Sequence, residues 1–147
     1  MTNSEKAVSI FESGYNCSQA VLSTFSDRFK LDNRLALRIS CGFGGGMARM
    51  QETCGAVTGG MMAIGLAASE SAKDNQMIKE KAYSTIVEFT KRFKEKHKSI
   101  KCRDILKCDM NTEEGRKYIN ENDLYRTVCN QCVKDAVEIL NELISAS

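Results

Sequence analysis

Apolar residues along the chain recur at intervals of three and four rather than two, and proline is absent. That period belongs to one face of a helix, so the pattern predicts an all-α fold. Ser4 to Ser13 reads as a short first helix with Ala7, Val8, Ile10 and Phe11 inward, stopped by Gly14-Tyr15-Asn16. Asn16 then caps a second helix. On it Cys17, Ala20, Val21 and Phe25 share one face, which turns Cys17 towards the core from the first turn. Asp32 or Asn33 caps a third helix through Leu35, Leu37 and Ile39, and this one stops at the glycine-rich loop Cys41-Gly42-Phe43-Gly44-Gly45-Gly46.

The stretch from Cys41 to Ser69 organises the rest. Thr53 is expected to cap a Gly/Ala-rich helix whose small residues let other backbones approach closely, placing it at the centre of a compact multi-helix bundle. Its inward side carries Cys54, Val57, Met61, Ile64 and Ala68, with methionine as core filler rather than ligand. Asp74 starts a long amphipathic helix with Ile78, Ala82, Ile86, Phe89 and Phe93 on one stripe. The basic run from Lys91 to Lys101 reads as a solvated helix end, and His97 within it as a solvated histidine. Cys102 to Cys108 reads as a short helical turn with Cys102 beside Ile105 and Leu106. Asn111-Thr112 caps another short helix, and Asn120 to Asp123 is loop-like. Cys129 opens the last helix, with the stripe Cys129, Val133, Ala136, Val137, Leu140 and Ile144; Cys132 lies one step round, over Ile139 and Leu143.

A chain of 147 residues fits one domain, taken as residues 1–147, and can bury a core without staples. The net charge of +2, with acids and bases interspersed, gives no pull towards nucleic acid or a membrane surface. The apolar run from Ala56 to Ala68 falls short of the roughly 20 residues that cross a bilayer, so no membrane span is expected. The first residues lack the basic start and long apolar segment of a secretory signal, which points to a cytoplasmic protein. In a reducing cytosol, seven cysteines read as ligands, redox partners or small buried hydrophobes rather than a disulfide framework. The glycine loop is a poor phosphate cradle: no Gly-Lys-Ser/Thr follows, and Met47 stands at the third glycine of a dinucleotide fingerprint. It reads instead as a tight turn that passes close to other backbone or to a cofactor, with Gly44, Gly45 and Gly46 as the contacts.

Cys17, Cys54, Cys102 and Cys129 each fall near a predicted helix N-terminus, on its apolar side. Four helix starts converging would gather thiols of lowered pKa in one partly dry site, as thiolate nucleophiles, redox disulfides and cluster ligands all require. Three functions fit. In the first, Cys54 is the attacking thiolate of a thiol-dependent oxidoreductase and Cys17, Cys102 or Cys129 resolves it, with Cys129-Asn130-Gln131-Cys132 as a second couple. In the second, Cys17, Cys54, Cys102 and Cys129 hold an iron–sulfur cluster or another thiolate-bound metal, although their spacing favours no particular metal. In the third, the domain is a non-catalytic interaction module whose Gly/Ala-rich surface pairs two copies into a homodimer.

Gly14-Tyr15-Asn16-Cys17-Ser18-Gln19-Ala20-Val21, Phe43-Gly44-Gly45-Gly46, Cys54-Gly55-Ala56-Val57-Thr58-Gly59, Cys102-Arg103-Asp104-Ile105-Leu106 and Val128-Cys129 together resemble the C_GCAxxG_C_C family, in the same order and over nearly the whole chain. The resemblance implies a small helical module that is redox-active through cysteines at positions 17, 54, 102 and 129, with an unidentified redox partner. Cys41, Cys108 and Cys132 look like additions of this sequence. Longer proteins with a similar module include haem proteins with iron–sulfur centres, which raises a cluster here. A haem attachment signal is absent, since Val133 rather than histidine follows Cys132.

Overall fold

Side-chain caps start most of the helices. In the computed structural model, which describes residues 1–144, α1 (Asn3–Glu12) begins behind Thr2. The Thr2 hydroxyl accepts from the Glu5 amide, and the Glu5 carboxylate accepts from the Thr2 amide. Asn16 and Gln19 repeat this reciprocal cap at α2 (Cys17–Thr24). The helix α3 (Asn33–Ser40) follows Asp32, which makes no side-chain cap; here Ala36 and Ser40 are buried while Leu35 and Ile39 face solvent. Next come α4 (Gly55–Ser71), α5 (Asn75–His97) behind an Asp74 cap, the five-residue α6 (Cys102–Leu106), α7 (Glu113–Glu121) behind a Thr112 cap, and α8 (Asn130–Ile144). These are the eight α-helices among the described residues, and no strand accompanies them. The fold is all-α.

Three boundaries differ from expectation, each for a local reason. Thr53 does not cap α4, because it is paired with Lys101 in an isolated antiparallel bridge; Cys54 itself takes the N-cap position, with extended φ/ψ of −51° and 137°. The turn before the last helix is not a loop end. A π-helical segment, Tyr125–Cys129, runs directly into α8, so Cys129 sits inside a continuous helix rather than at its free start. At α7 the helix continues through Asn120 and Glu121.

The helix α4 packs against α2, α5 and α8, and α1 lies against α2 and α8. Phe25, Phe89, Phe93 and Ile64 fill the space between them and are buried. Gly59 sets how closely α2 and α4 approach: a methyl group there would stand 2.8 Å from the Ser18 carbonyl oxygen and 3.1 Å from Val21 Cβ. Gly55, Ala56, Gly59, Gly60, Ala63, Ala67 and Ala68 are all buried within the chain. Most of the small-residue face expected to pair two copies is thus occupied by the protein's own helices.

Candidate functional site

The segment before α4 is built to hold Cys54 beside Cys102. The Cys54 amide donates to the Ile100 carbonyl at 2.7 Å, and the Cys102 amide donates to the Glu52 carbonyl at 2.7 Å, on either side of the Thr53–Lys101 bridge. Gln51 ties the next turn down. Buried at 2% exposure, it donates to the Cys108 carbonyl at 2.8 Å and accepts from the Met110 amide at 2.8 Å. The buried amide side chain is therefore satisfied on both ends.

The glycine loop has an unusual geometry. Gly45, Gly46, Met47, Ala48 and Arg49 all take positive φ, between 54° and 66°, making a left-handed turn, and Gln51 takes 57°. For non-glycine residues this region costs about 1–2 kcal/mol each, so the turn persists only because its surroundings hold it. The amides of residues 47 to 52 are all donated inside the loop, to carbonyls of Gly42, Phe43, Gly44, Gly45, Gly46 and Met47. Those amides are not free to cradle a phosphate. Gly46 is required by proximity as well as by φ, since a methyl group there would stand 2.8 Å from Cys102 Cβ. The Asn16 side chain donates to the Cys41 carbonyl at 2.9 Å, fastening the loop to the start of α2.

These elements surround a cavity of about 370 Å³. Cys17, Cys54, Cys102, Cys129 and Cys132 all line it, as do Gly44, Gly45 and Gly46, with Arg49 and Tyr125 also in its wall. Cys41 reaches it from an exposed position, and Cys108 is not part of the lining. The structure thus brings the four cysteines singled out by sequence to one place, and adds Cys132 and, at the edge, Cys41. Cys132 comes three residues after Cys129, hence on the same side of the helix. All seven cysteines are free thiols.

Electrostatically the sulfurs act in pairs, Cys54 with Cys132 and Cys17 with Cys129. The Cys132 thiol is the main reason the Cys54 pKa is lowered; the amides of Ala56 and Val57 add to it against the cost of burial, without closing a formal cap hydrogen bond. The same interaction, together with burial, pushes the Cys132 thiol far up. The Cys17 thiol is likewise raised, by its neighbour Cys129 first and then by burial. Cys102 is pushed up to about 12, chiefly by burial and then by the charge of Cys54. Among these shifted thiols Cys54 is therefore the one that loses its proton most readily, while Cys17, Cys102 and Cys132 hold theirs. Among the described residues, no group of three or more His, Cys, Asp or Glu side chains is disposed to hold a metal ion. The sulfurs as arranged do not form a ligand cage.

Raised thiol pKa values make the fold labile to alkali. A thiol whose pKa is higher folded than unfolded keeps its proton in the native state while the unfolded chain loses it, so stability falls as pH rises between the two values. For Cys102 that window runs from its ordinary value of 9.0 to about 12. Under reducing conditions the Tm is expected to fall steeply above about pH 9, and to fall less steeply in Cys102→Ala; parallel pH profiles for the two proteins would contradict the burial of that thiol.

His97 departs furthest from expectation. Its side chain is 11% exposed rather than solvated: Nε2 lies 2.8 Å from Asp135 Oδ2, Nδ1 lies 3.8 Å from the Cys132 sulfur, and the ring stacks on Phe93 with centroids 4.5 Å apart. The other Asp135 oxygen accepts from Gln131 Nε2 at 2.8 Å. From the sequence, Cys132 stands only in a second couple with Cys129, His97 reads as solvated, and neither Asp135 nor Gln51 is singled out.

An all-α fold that presents cysteines from α2, the start of α4, α6 and the π-segment leading into α8 to one cavity defines a cysteine-centred helical module. The chain belongs to the C_GCAxxG_C_C family, described as "Putative redox-active protein", whose sequence model matches residues 15–143. No curated protein and no solved structure matches the chain. No helix among the described residues is long and apolar enough to cross a membrane.

Proposed function

We propose that this protein is a thiol–disulfide oxidoreductase in which Cys54 is the attacking thiolate and Cys132 the resolving thiol. The observation that carries the reading is the placing of Cys54 at the start of α4 in the wall of one cavity with Cys132, whose thiol is the main cause of the lowered Cys54 pKa. Attack on a disulfide needs a thiolate with an approach path, and resolution needs a second sulfur nearby. Cys17 and Cys129 supply a second couple in the lining of the same cavity, able to take over the bridge by exchange, and Cys102 stands near Cys54 as a buried thiol. Gly44, Gly45 and Gly46 shape the cavity for the incoming partner. The partner in this reading bears a disulfide, and the working compartment is reducing, as the cytoplasm is.

The test is a bridge map. The fully reduced protein receives one equivalent of a small disulfide, free thiols are then alkylated, and the peptides are mapped by mass spectrometry. The expected product has lost two protons and joins Cys54 to Cys132; a protein whose Cys54 stays fully alkylatable refutes the reading. Stoichiometric iron with sulfur-to-iron charge-transfer absorption after anaerobic purification would assign the same sulfurs to a cluster instead.

A further inference from the structure

We infer that His97, held by Asp135, is the proton acceptor for Cys132, so that Cys132 resolves the bridge through a Cys–His–Asp relay. The inference rests on the reading of Cys54 and Cys132 just given and adds what moves the proton. Its basis is the line of contacts from Asp135 Oδ2 to His97 Nε2 at 2.8 Å and from His97 Nδ1 to Cys132 Sγ at 3.8 Å, with Cys132 and Cys54 lining the same cavity. Asp135 is itself buried, 6% exposed, and its second oxygen is held by Gln131. A carboxylate at Nε2 keeps the proton on that nitrogen and leaves Nδ1, the one facing sulfur, as the acceptor. Asp135 and Cys132 come from α8, three residues apart on one side, and His97 from the last turn of α5. The packing of these two helices therefore builds the relay.

The order of events follows from where the Cys132 proton is held. In the reduced protein it is drawn towards Cys54, which lowers the Cys54 pKa and raises that of Cys132, so Cys54 attacks first while Cys132 stays quiet. Cys54 attacks a disulfide R–S–S–R, forms the mixed disulfide Cys54–S–S–R and releases one RS⁻. Cys54 then carries no negative charge and no longer holds the proton, and His97 Nδ1 is the acceptor left in contact. As His97 takes the proton, the Cys132 thiolate attacks the Cys54 sulfur, the Cys54–S–S–R bond breaks, and the second RS⁻ leaves. Two protein thiols have been oxidised by two electrons and one disulfide has been reduced to two thiolates. The Cys132 proton rests on an imidazolium paired with Asp135.

The test separates the two steps. Wild type, His97→Gln and Asp135→Asn, all reduced, are mixed with an aromatic disulfide, quenched in acid at intervals, and the Cys54 mixed disulfide and the Cys54–Cys132 bridge are counted by peptide mass. The expected result is unchanged formation of the mixed disulfide and bridge formation slowed about a hundredfold, the lower end of what a positioned proton acceptor contributes, so that the mixed disulfide accumulates. A purely structural role for His97 would not split the steps. Bridge formation at the wild-type rate in His97→Gln overturns the relay, as does equal slowing of both steps. If His97→Gln fails to fold, Asp135→Asn decides by the same criteria. Absence of any mixed disulfide at Cys54 in the wild type overturns the underlying reading and the relay with it.

Discussion

Cys54 is expected to react with iodoacetamide at pH 7 at least about 30-fold faster than Cys102. The two thiols are equally hidden, at 7% and 8% exposure, and both line the same cavity, so access does not separate them. Their protons do. Cys102 is pushed up to about 12, whereas Cys54 lies below its ordinary 9.0. That is a difference of about three powers of ten or more in thiolate population at neutral pH. Nucleophilicity returns part of it, because a more basic thiolate attacks faster with a Brønsted slope of about 0.4–0.5, and roughly one and a half powers of ten remain. Quantitative peptide mass spectrometry with timed quenching reads both sites in one sample, so reaction at the exposed Cys41 does not interfere. Equal rates at positions 54 and 102 would remove the basis for calling Cys54 the nucleophile. The same assay identifies the source of the activation. The Cys132 thiol is the largest contributor, and a hydrogen bond to a charged group is worth about 1.5–3 kcal/mol. Cys132→Ala is therefore expected to slow Cys54 by about 4- to 20-fold once the Brønsted correction is applied. Cys41→Ser, which touches neither sulfur pair, leaves the Cys54 rate unchanged.

How far the sequence carries depends on whether the determinant is periodic. The helices follow from spacing and caps: Asn16, Asp74 and Thr112 occupy N-cap positions because short polar side chains reach the free amides of a first turn. Cys17 and Cys102 are the first residues of their helices, and Cys54 lies one step earlier, so their approach to a common cavity is written in local patterns. Cys129 reaches the cavity for another reason, the π-segment that continues into α8, and no local signal marks such an insertion. The left-handed turn is equally silent, because only Gly45 and Gly46 advertise positive φ while Met47, Ala48 and Arg49 are held there by carbonyl contacts that the fold supplies. His97 is different, since its burial was legible. Phe89, Phe93 and His97 recur every fourth residue, and the stripe that buries the two phenylalanines continues to the histidine. The surrounding lysines obscured it. A basic run sets the average polarity of a helix end, whereas burial is decided residue by residue by the direction each side chain takes.

Two glycines of α4 should respond to alanine with opposite signs, and the contrast tests how the site is held together. At Gly59 the added methyl group would stand 2.8 Å from the Ser18 carbonyl oxygen and 3.2 Å from Ser18 Cα. These are backbone atoms of α2, so relief requires the two helices to move apart rather than a side chain to turn. Overpacking of this kind costs about 1–3 kcal/mol and occasionally more, against about 1 kcal/mol recovered from helix propensity. Gly59→Ala is expected to lose up to about 2 kcal/mol, or several degrees in Tm for a chain of this size. Gly65 lies six residues further along the same helix, with nothing within 4 Å of the would-be methyl group, so Gly65→Ala keeps the propensity gain alone and is expected to stabilise by about 0.5–1 kcal/mol. Thermal unfolding of the two variants checks the signs; stabilisation in both would mean that α2 and α4 are not in the close contact described. The functional consequence follows from the same contact. Ser18 is adjacent to Cys17, and Cys17 meets Cys129 across the cavity, so a displaced α2 moves one sulfur pair while leaving the Cys54–Cys132 pair on α4 and α8 in place. In Gly59→Ala, bridge formation between Cys54 and Cys132 should therefore survive near the wild-type rate, while any transfer of the bridge to Cys17 and Cys129 is slowed. Loss of both together would place the two couples on one rigid unit.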